Sequence, residues 1–176
     1  LLNSSSTAST HHNLVRRTRH RAIDGSQSIF SNEVYVDSYA TNGYGIWPDW
    51  GTGSKITSNL VFGTGYWSVG IGWSQKVHAR DNYIHLRGDE PTNRGDDFGT
   101  ISSTNGIRLT RYIGEDDRAY DGMIYEDNTI LITYRNPNNV EGVQDARGIM
   151  ISSDPLVSNV VVRNNVCLLY TSPSPR

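Results

Sequence analysis

Gly70-Ile71-Gly72-Trp73-Ser74-Gln75-Lys76-Val77-His78-Ala79-Arg80-Asp81-Asn82-Tyr83-Ile84-His85-Leu86 decides the fold. A small residue and an isoleucine open it, a bend follows, and Val77 to Arg80 alternate apolar and polar side chains. The run breaks at Asn82 and resumes the same alternation in Tyr83-Ile84-His85-Leu86. A period of two marks half-buried strands, so the stretch predicts short strands separated by sharp turns. Both of its signals return along the chain. Asparagine with a branched residue two places on occurs as Asn13-x-Val15, Asn32-x-Val34, Asn59-x-Val61, Asn82-x-Ile84 and Asn128-x-Ile130, and Asn165 with Val166 forms a shortened sixth. The pair of small residue and isoleucine occurs as Ala22-Ile23, Gly45-Ile46, Gly70-Ile71, Gly106-Ile107 and Gly148-Ile149. One such pair falls between each two successive asparagines.

The asparagines are 19, 27, 23, 46 and 37 residues apart, a variable repeat in the range of stacked-repeat proteins. Each unit is strand-like, so the stack is predicted to be a β-solenoid. A β-sandwich also yields many short strands, but it does not explain two motifs alternating in strict order. At the corner of each unit one residue must turn sharply with positive φ, which asparagine tolerates well. Its side-chain amide can also bond its counterpart one unit away. Val34, Val61, Ile84 and Ile130 are then expected to point inward, as are Ile29, Ile56, Ala79, Tyr125 and Val162, three residues before each asparagine.

Composition agrees. The chain has 176 residues, 36% of them hydrophobic, and a formal net charge of −2. It is long enough for one domain with a real core. The small net charge gives no general pull toward nucleic acid or an anionic membrane, and no apolar run reaches membrane-spanning length. Arg16-Arg17-Thr18-Arg19-His20-Arg21 is basic but sits between two repeat motifs, so it reads as a strand edge and loop, with no nucleic-acid partner expected. No phosphate-binding glycine loop, zinc-type spacing or Gly-x-Ser-x-Gly elbow is present.

Residues 1–12 precede the first asparagine motif and are expected to be disordered or incomplete. Residues 13–166 carry the repeats, about five coils of them. Cys167 to Arg176 resembles the translation of a transposon-end adapter used in sequencing libraries and is expected to pack poorly and add no coil. Setting it aside removes the one cysteine, leaving no sign of redox compartment. The chain lacks a starting methionine and reads as a fragment.

The interleaved motifs resemble those of right-handed parallel β-helix proteins, the pectin-lyase-like superfamily that includes pectate and alginate lyases, mannuronan epimerases and phage tailspikes. The resemblance runs from Asn13 to Val166. It implies an extracellular or envelope protein that binds or modifies an anionic polysaccharide by lyase, epimerase or hydrolase chemistry, or a non-catalytic fibre or adhesin. Tyr44-Gly45-Ile46-Trp47-Pro48-Asp49 is similar to a segment of mannuronan C5-epimerases. Trp47 stands where that family has its catalytic Asp, and Asp49 where it has its His, so neither role carries over.

Candidate site residues follow from the repeat register. His78 and Arg80 should face outward, with Lys55 in the column of His78, and Thr57, Glu126 and Arg163 in that of Arg80. Elimination from a uronate needs a base and a cation, which His78 and Arg80 or Lys55 can supply; a plain surface ladder of Arg80, Glu126 and Arg163 is the alternative. Asp81 and Asp127 hold equivalent places before their asparagines and could bind Ca²⁺ through oxygen, or could simply turn the chain. The long connection over residues 87–105 brings Arg94, Asp96 and Asp97 as further binding and catalytic candidates; Glu115-Asp116-Asp117 reads as a solvated loop. Trp47, Tyr66 and Trp67 are expected in a loop wall, where their rings suit sugar faces.

Overall fold

The computed structural model describes residues 2–4, 8–18, 21–25, 27–37, 43–48, 53–64, 68–71, 76–88, 102–109, 120–135, 144–151 and 157–172. Among the described residues every regular element is a strand and there is no helix, so none is long and apolar enough to cross a membrane. The first sheet consists of β1 (Leu2–Ser4), β4 (Arg21–Gly25), β7 (Gly43–Trp47), β10 (Ser68–Ile71), β13 (Ser102–Leu109) and β17 (Gln144–Ile151). The second holds β2 (Ser9–His11), β5 (Ser28–Phe30), β8 (Lys55–Thr57), β11 (His78–Arg80), β15 (Ile124–Glu126) and β19 (Val161–Arg163). The third holds β3 (Leu14–Thr18), β6 (Glu33–Asp37), β9 (Leu60–Thr64), β12 (Tyr83–Gly88), β16 (Thr129–Arg135) and β20 (Val166–Ser172). A small side sheet pairs β14 (Tyr120–Asp121) with β18 (Val157–Ser158). All pairings are parallel. Apart from the side sheet, the chain visits the three sheets in strict rotation.

Register turns the sequence repeat into columns. In the first sheet Ile23, Ile46, Ile71, Ile107 and Ile149 lie side by side on successive strands. In the second, Thr10, Ile29, Ile56, Ala79, Tyr125 and Val162 do the same. In the third the column is Val15, Val34, Val61, Ile84, Ile130 and Cys167. The isoleucines from Ile23 to Ile107, Val34, Val61, Ile84 and Ile130 have no exposed surface and meet in one core. Burying each such side chain contributes about 1.5–3 kcal/mol.

Before Ile107 and Ile149 the small residue has a steric cause. A Cβ added at Gly106 would stand 2.3 Å from Ile130 Cγ2 and 2.6 Å from the Gly148 carbonyl oxygen. At Gly148 it would meet Cys167 Sγ at 2.6 Å. The first sheet passes too close to the third for a side chain there.

Each corner between the second and third sheets is two residues long. The left-handed residue is the one before the asparagine: His12, Ser31, Ser58, Asp81, Asp127 and Asn164 have φ between 53° and 55°. The asparagine itself was expected to take that conformation. It is freed to do something else. Asn32, Asn59, Asn82 and Asn128 are at most 1% exposed and form a continuous ladder. The Oδ1 of Asn82 accepts from the backbone N–H of Asn59 at 3.1 Å and from its Nδ2 at 3.0 Å. Asn82 Nδ2 donates onward to Asn128 Oδ1 at 2.9 Å and back to the Ile56 carbonyl at 2.8 Å. The pattern runs from Asn13 through Asn165.

Strands reach into both terminal segments. Leu2–Ser4 and Ser9–His11, within the segment expected to be disordered or incomplete, are β1 and β2 and pair with β4 and β5. Cys167 to Ser172, expected to pack poorly and add no coil, join Val166 in β20 and pair with β16 along its length, while Leu168, Leu169 and Tyr170 stay exposed. Parallel pairing asks only for the open backbone edge of β16, which any extended segment can meet. Cys167, rather than Val166, takes the column of Val34 and Ile130, while Val166 lies beside Thr129.

Asn82→Ala should cost on the order of 3 kcal/mol, because it removes the acceptor of the buried Asn59 N–H, one of the acceptors of the Asn59 side-chain amide and a donor to the Ile56 carbonyl. Asn13→Ala, at the partly exposed start of the ladder, should cost under about 1 kcal/mol. Urea unfolding of the two variants measures the difference.

Candidate functional site

β11 is only three residues long, and its alternation decides what it presents. Ala79 points into the core with no exposed surface; His78 and Arg80 point out. Register puts His78 between Lys55 and Ile124, and Arg80 between Thr57 and Glu126. The column neighbours anticipated from the repeat are therefore in place. Their pairing is different.

Glu126 pairs diagonally. Its Oε1 lies 2.8 Å from His78 Nε2, and its Oε2 accepts from Arg163 Nε at 2.6 Å. Glu126 is 6% exposed, whereas the side chains of His78 and Arg163 are 34% and 61% exposed. A carboxylate only accepts, so the His78 Nε2 facing it carries a hydrogen, and whenever the ring is neutral its lone pair is at Nδ1. The hydrogen bond from His78 is the strongest influence holding the Glu126 carboxyl below its ordinary value of 4.5; that from Arg163 follows, and burial opposes both.

Arg80 turns the other way. Its Nε stands 3.1 Å from Asp81 Oδ2 and 3.5 Å from Asp127 Oδ2. The expected ladder of Arg80, Glu126 and Arg163 thus divides: Arg163 keeps Glu126, and two turn aspartates capture Arg80. The same contact bears on the calcium reading. Asp81 and Asp127 already share a cation, and both have the left-handed φ of the corner. Among the described residues no group of three or more His, Cys, Asp or Glu could hold a metal ion. Lys55, exposed beside His78, makes no ion pair among the described residues.

Trp47 does not stand in a loop wall. It is in β7, 5% exposed, with its ring edge-on to Tyr44 at 4.4 Å between centroids, which withdraws it from a substrate-contacting set. Tyr66, Trp67, Arg94, Asp96 and Asp97 lie outside the described residues.

Two features went unread in the sequence. One is the pairing of Glu126 with His78: both columns were legible, but the diagonal contact depends on rotamers. The other is an aromatic track on the outer face of the third sheet. Tyr35 and Phe62 stack at 5.0 Å, and Tyr83 and His85 approach Phe62 at 6.1 and 6.2 Å. Arg16 lies over the Tyr35 ring at 5.5 Å. The signal was there in the third place after Asn32, Asn59 and Asn82, and in the first place after Asn82. Since Tyr35 and Phe62 turn their faces to each other, they offer edges to solvent, which suits covering the sheet better than stacking on a sugar.

No protein-family model, curated protein or solved structure matches the chain.

Glu126 titrates lower in the folded chain than in the unfolded one, so its contribution is complete above pH 4.5 and is lost as pH falls through the folded value. Asp121, held below its ordinary value by hydrogen bonds from Ser158 and then Asn159, acts in the same direction. The melting temperature should fall on acidification toward about pH 3, and Glu126→Gln should make that fall shallower. Calorimetry across the pH range reads both slopes.

Proposed function

We propose that the chain is part of a right-handed parallel β-helix, located outside the cell or in its envelope, that binds an anionic polysaccharide and removes a proton from its uronate rings. The observation that carries this reading is the pair of His78 and Glu126, 2.8 Å apart, with Lys55 in register beside it on an outward face. Rotation of the chain through three parallel sheets supports the β-helix. The resemblance of the interleaved motifs to that superfamily supports the substrate class.

The chemistry asks for little more. Taking the C5 proton of a uronate leaves negative charge that spreads into the carboxylate, so a base must meet the proton and a cation the carboxylate. His78 Nδ1 is the base, oriented by Glu126, and Lys55 is the cation. Arg80 suits that second role less well, because Asp81 and Asp127 hold it. The electron pair left at C5 then has two outcomes. It can expel the oxygen at C4, forming a double bond between C4 and C5 while the departing oxygen takes a proton from water. It can instead accept a proton from water on the opposite face and invert C5, the hydroxide left behind taking the proton held by His78. Hydrolysis is less well supported: Glu126, Asp81 and Asp127 are all engaged with cations.

A second reading, a non-catalytic structural or adhesive solenoid, draws on the same pairings, since Arg163 and Glu126 serve each other and Asp81 and Asp127 hold Arg80. Ultraviolet detection of unsaturated uronate on alginate, pectin and glycosaminoglycans separates elimination from this alternative, and proton exchange at C5 reports epimerisation. The expected result is turnover that falls about 10²-fold or more in His78→Ala and in Lys55→Ala, with a smaller loss in Arg80→Ala. Turnover untouched by the first two substitutions would remove this site from the chemistry. No turnover or exchange on any polymer would favour the structural solenoid.

A further inference from the structure

The corner between the first and second sheets has a column of its own. Gly53, Lys76, Gly122 and Asn159 each stand two residues before a strand of the second sheet, and each has positive φ, at 92°, 52°, 72° and 51°. The residue that follows turns into the core: Ser54, Val77 and Met123 are at most 2% exposed. Backbone bonds hold the rungs in line, with His78 N–H donating to the Ser54 carbonyl at 2.8 Å and Ile124 N–H to that of Val77 at 2.9 Å. In this column Lys76 lies between Gly53 and Gly122.

Lysine is poorly suited to the turn. In the left-handed region a Cβ crowds the following carbonyl, which glycine escapes and asparagine or aspartate offsets by bonding locally. The other described residues with positive φ are His, Ser, Asp, Asn or Gly. Lys76 alone brings a long aliphatic stem, and it is exposed, so burial does not offset the strain. No ion pair does so among the described residues. The Asp121 carboxyl is held down first by the hydrogen bond from Ser158, then by that from Asn159, and only after these by the charge of Lys76. Backbone strain that nothing in the fold uses points to a functional position.

The place of Lys76 says which function. It is two residues before His78 on the same rung, and Lys55 stands in register with His78 one rung earlier. The two lysines thus belong to successive rungs, which are about 4.8 Å apart. We propose that Lys76 is a substrate-binding residue of this site: it holds the carboxylate of the ring next to the one that meets Lys55 and His78, so the site takes a polyuronate with a carboxylate on every ring. This role rests on the reading of His78 and Lys55 given above and adds the class of polymer. A chain in which uronate alternates with an amino sugar offers a carboxylate to one lysine and none to the other.

Steady-state kinetics on a polyuronate and on a glycosaminoglycan, beside thermal melting, test it. The parent should show the lower KM on the polyuronate. Lys76→Asn keeps a residue suited to the turn and removes the charge. It should raise KM for the polyuronate about tenfold, leave kcat near that of the parent, and melt no lower. Lys76→Arg, which keeps the charge, should hold the parent's KM. If the parent turns over the polyuronate in a His78-dependent way and Lys76→Asn leaves KM unchanged, the role of Lys76 fails while the site stands. A lower melting temperature in Lys76→Asn would also overturn it, because Lys76 would then be holding the corner. A parent that prefers the glycosaminoglycan would overturn the class of polymer. No turnover on either polymer, or turnover that survives His78→Ala, would remove the site and this proposal together.

Discussion

The asparagine ladder is the constraint on which the stack depends. A narrow core lined by three parallel sheets must turn a corner on every rotation, and each corner exposes backbone groups to an apolar interior. Leaving one of them unpaired costs about 1–3 kcal/mol. A buried asparagine at each corner answers that cost with a side chain that both donates and accepts: it receives two N–H groups from one neighbour, passes its own amide to the next, and reaches back to the carbonyl of an inward residue such as Ile56 or Ala79. Neighbouring rungs share these bonds, so the loss of one asparagine leaves the groups of its neighbours unpaired.

Division of labour at the corner follows from the same demand. Holding φ near +54° and filling the ladder are separate tasks, given to adjacent residues. The turning position lies at the surface and accepts His, Ser, Asp or Asn. That tolerance has a consequence for the site: where the turn is made by aspartate, at Asp81 and Asp127, it brings carboxylates to the rim of the second sheet and draws Arg80 to them. His78 is left to the acid that remains, Glu126. Corner geometry thus reaches the outward face and decides which cation stays free.

The architecture was legible because two independent constraints write themselves at fixed positions. The ladder demands asparagine, and the close approach of the first sheet to the third demands a small residue, as the 2.3 Å clash of a Cβ at Gly106 shows. Inward columns such as Ile29, Ile56, Ala79 and Tyr125 followed from alternation alone. What did not follow was anything set by rotamers or by a free backbone edge. The diagonal from His78 to Glu126 crosses two columns, and long side chains choose partners by distance. Trp47 read as a loop-wall residue, yet β7 continues through it and buries it. β20 was missed because its sequence was judged by origin, and a strand edge pairs with any extended segment that meets it.

Native-state amide hydrogen exchange tests the ladder most directly. The backbone N–H groups of Asn32, Asn59 and Asn82 donate to side-chain oxygens of the next asparagine rather than to a sheet partner. They should exchange as slowly as the N–H groups of the central strands β9 and β12, opening only when the whole stack unfolds. The Asn165 N–H, with no such acceptor among the described residues, should exchange faster. If the Asn59 and Asn82 N–H groups exchange as fast as that of Asn165, the ladder does not hold the stack together.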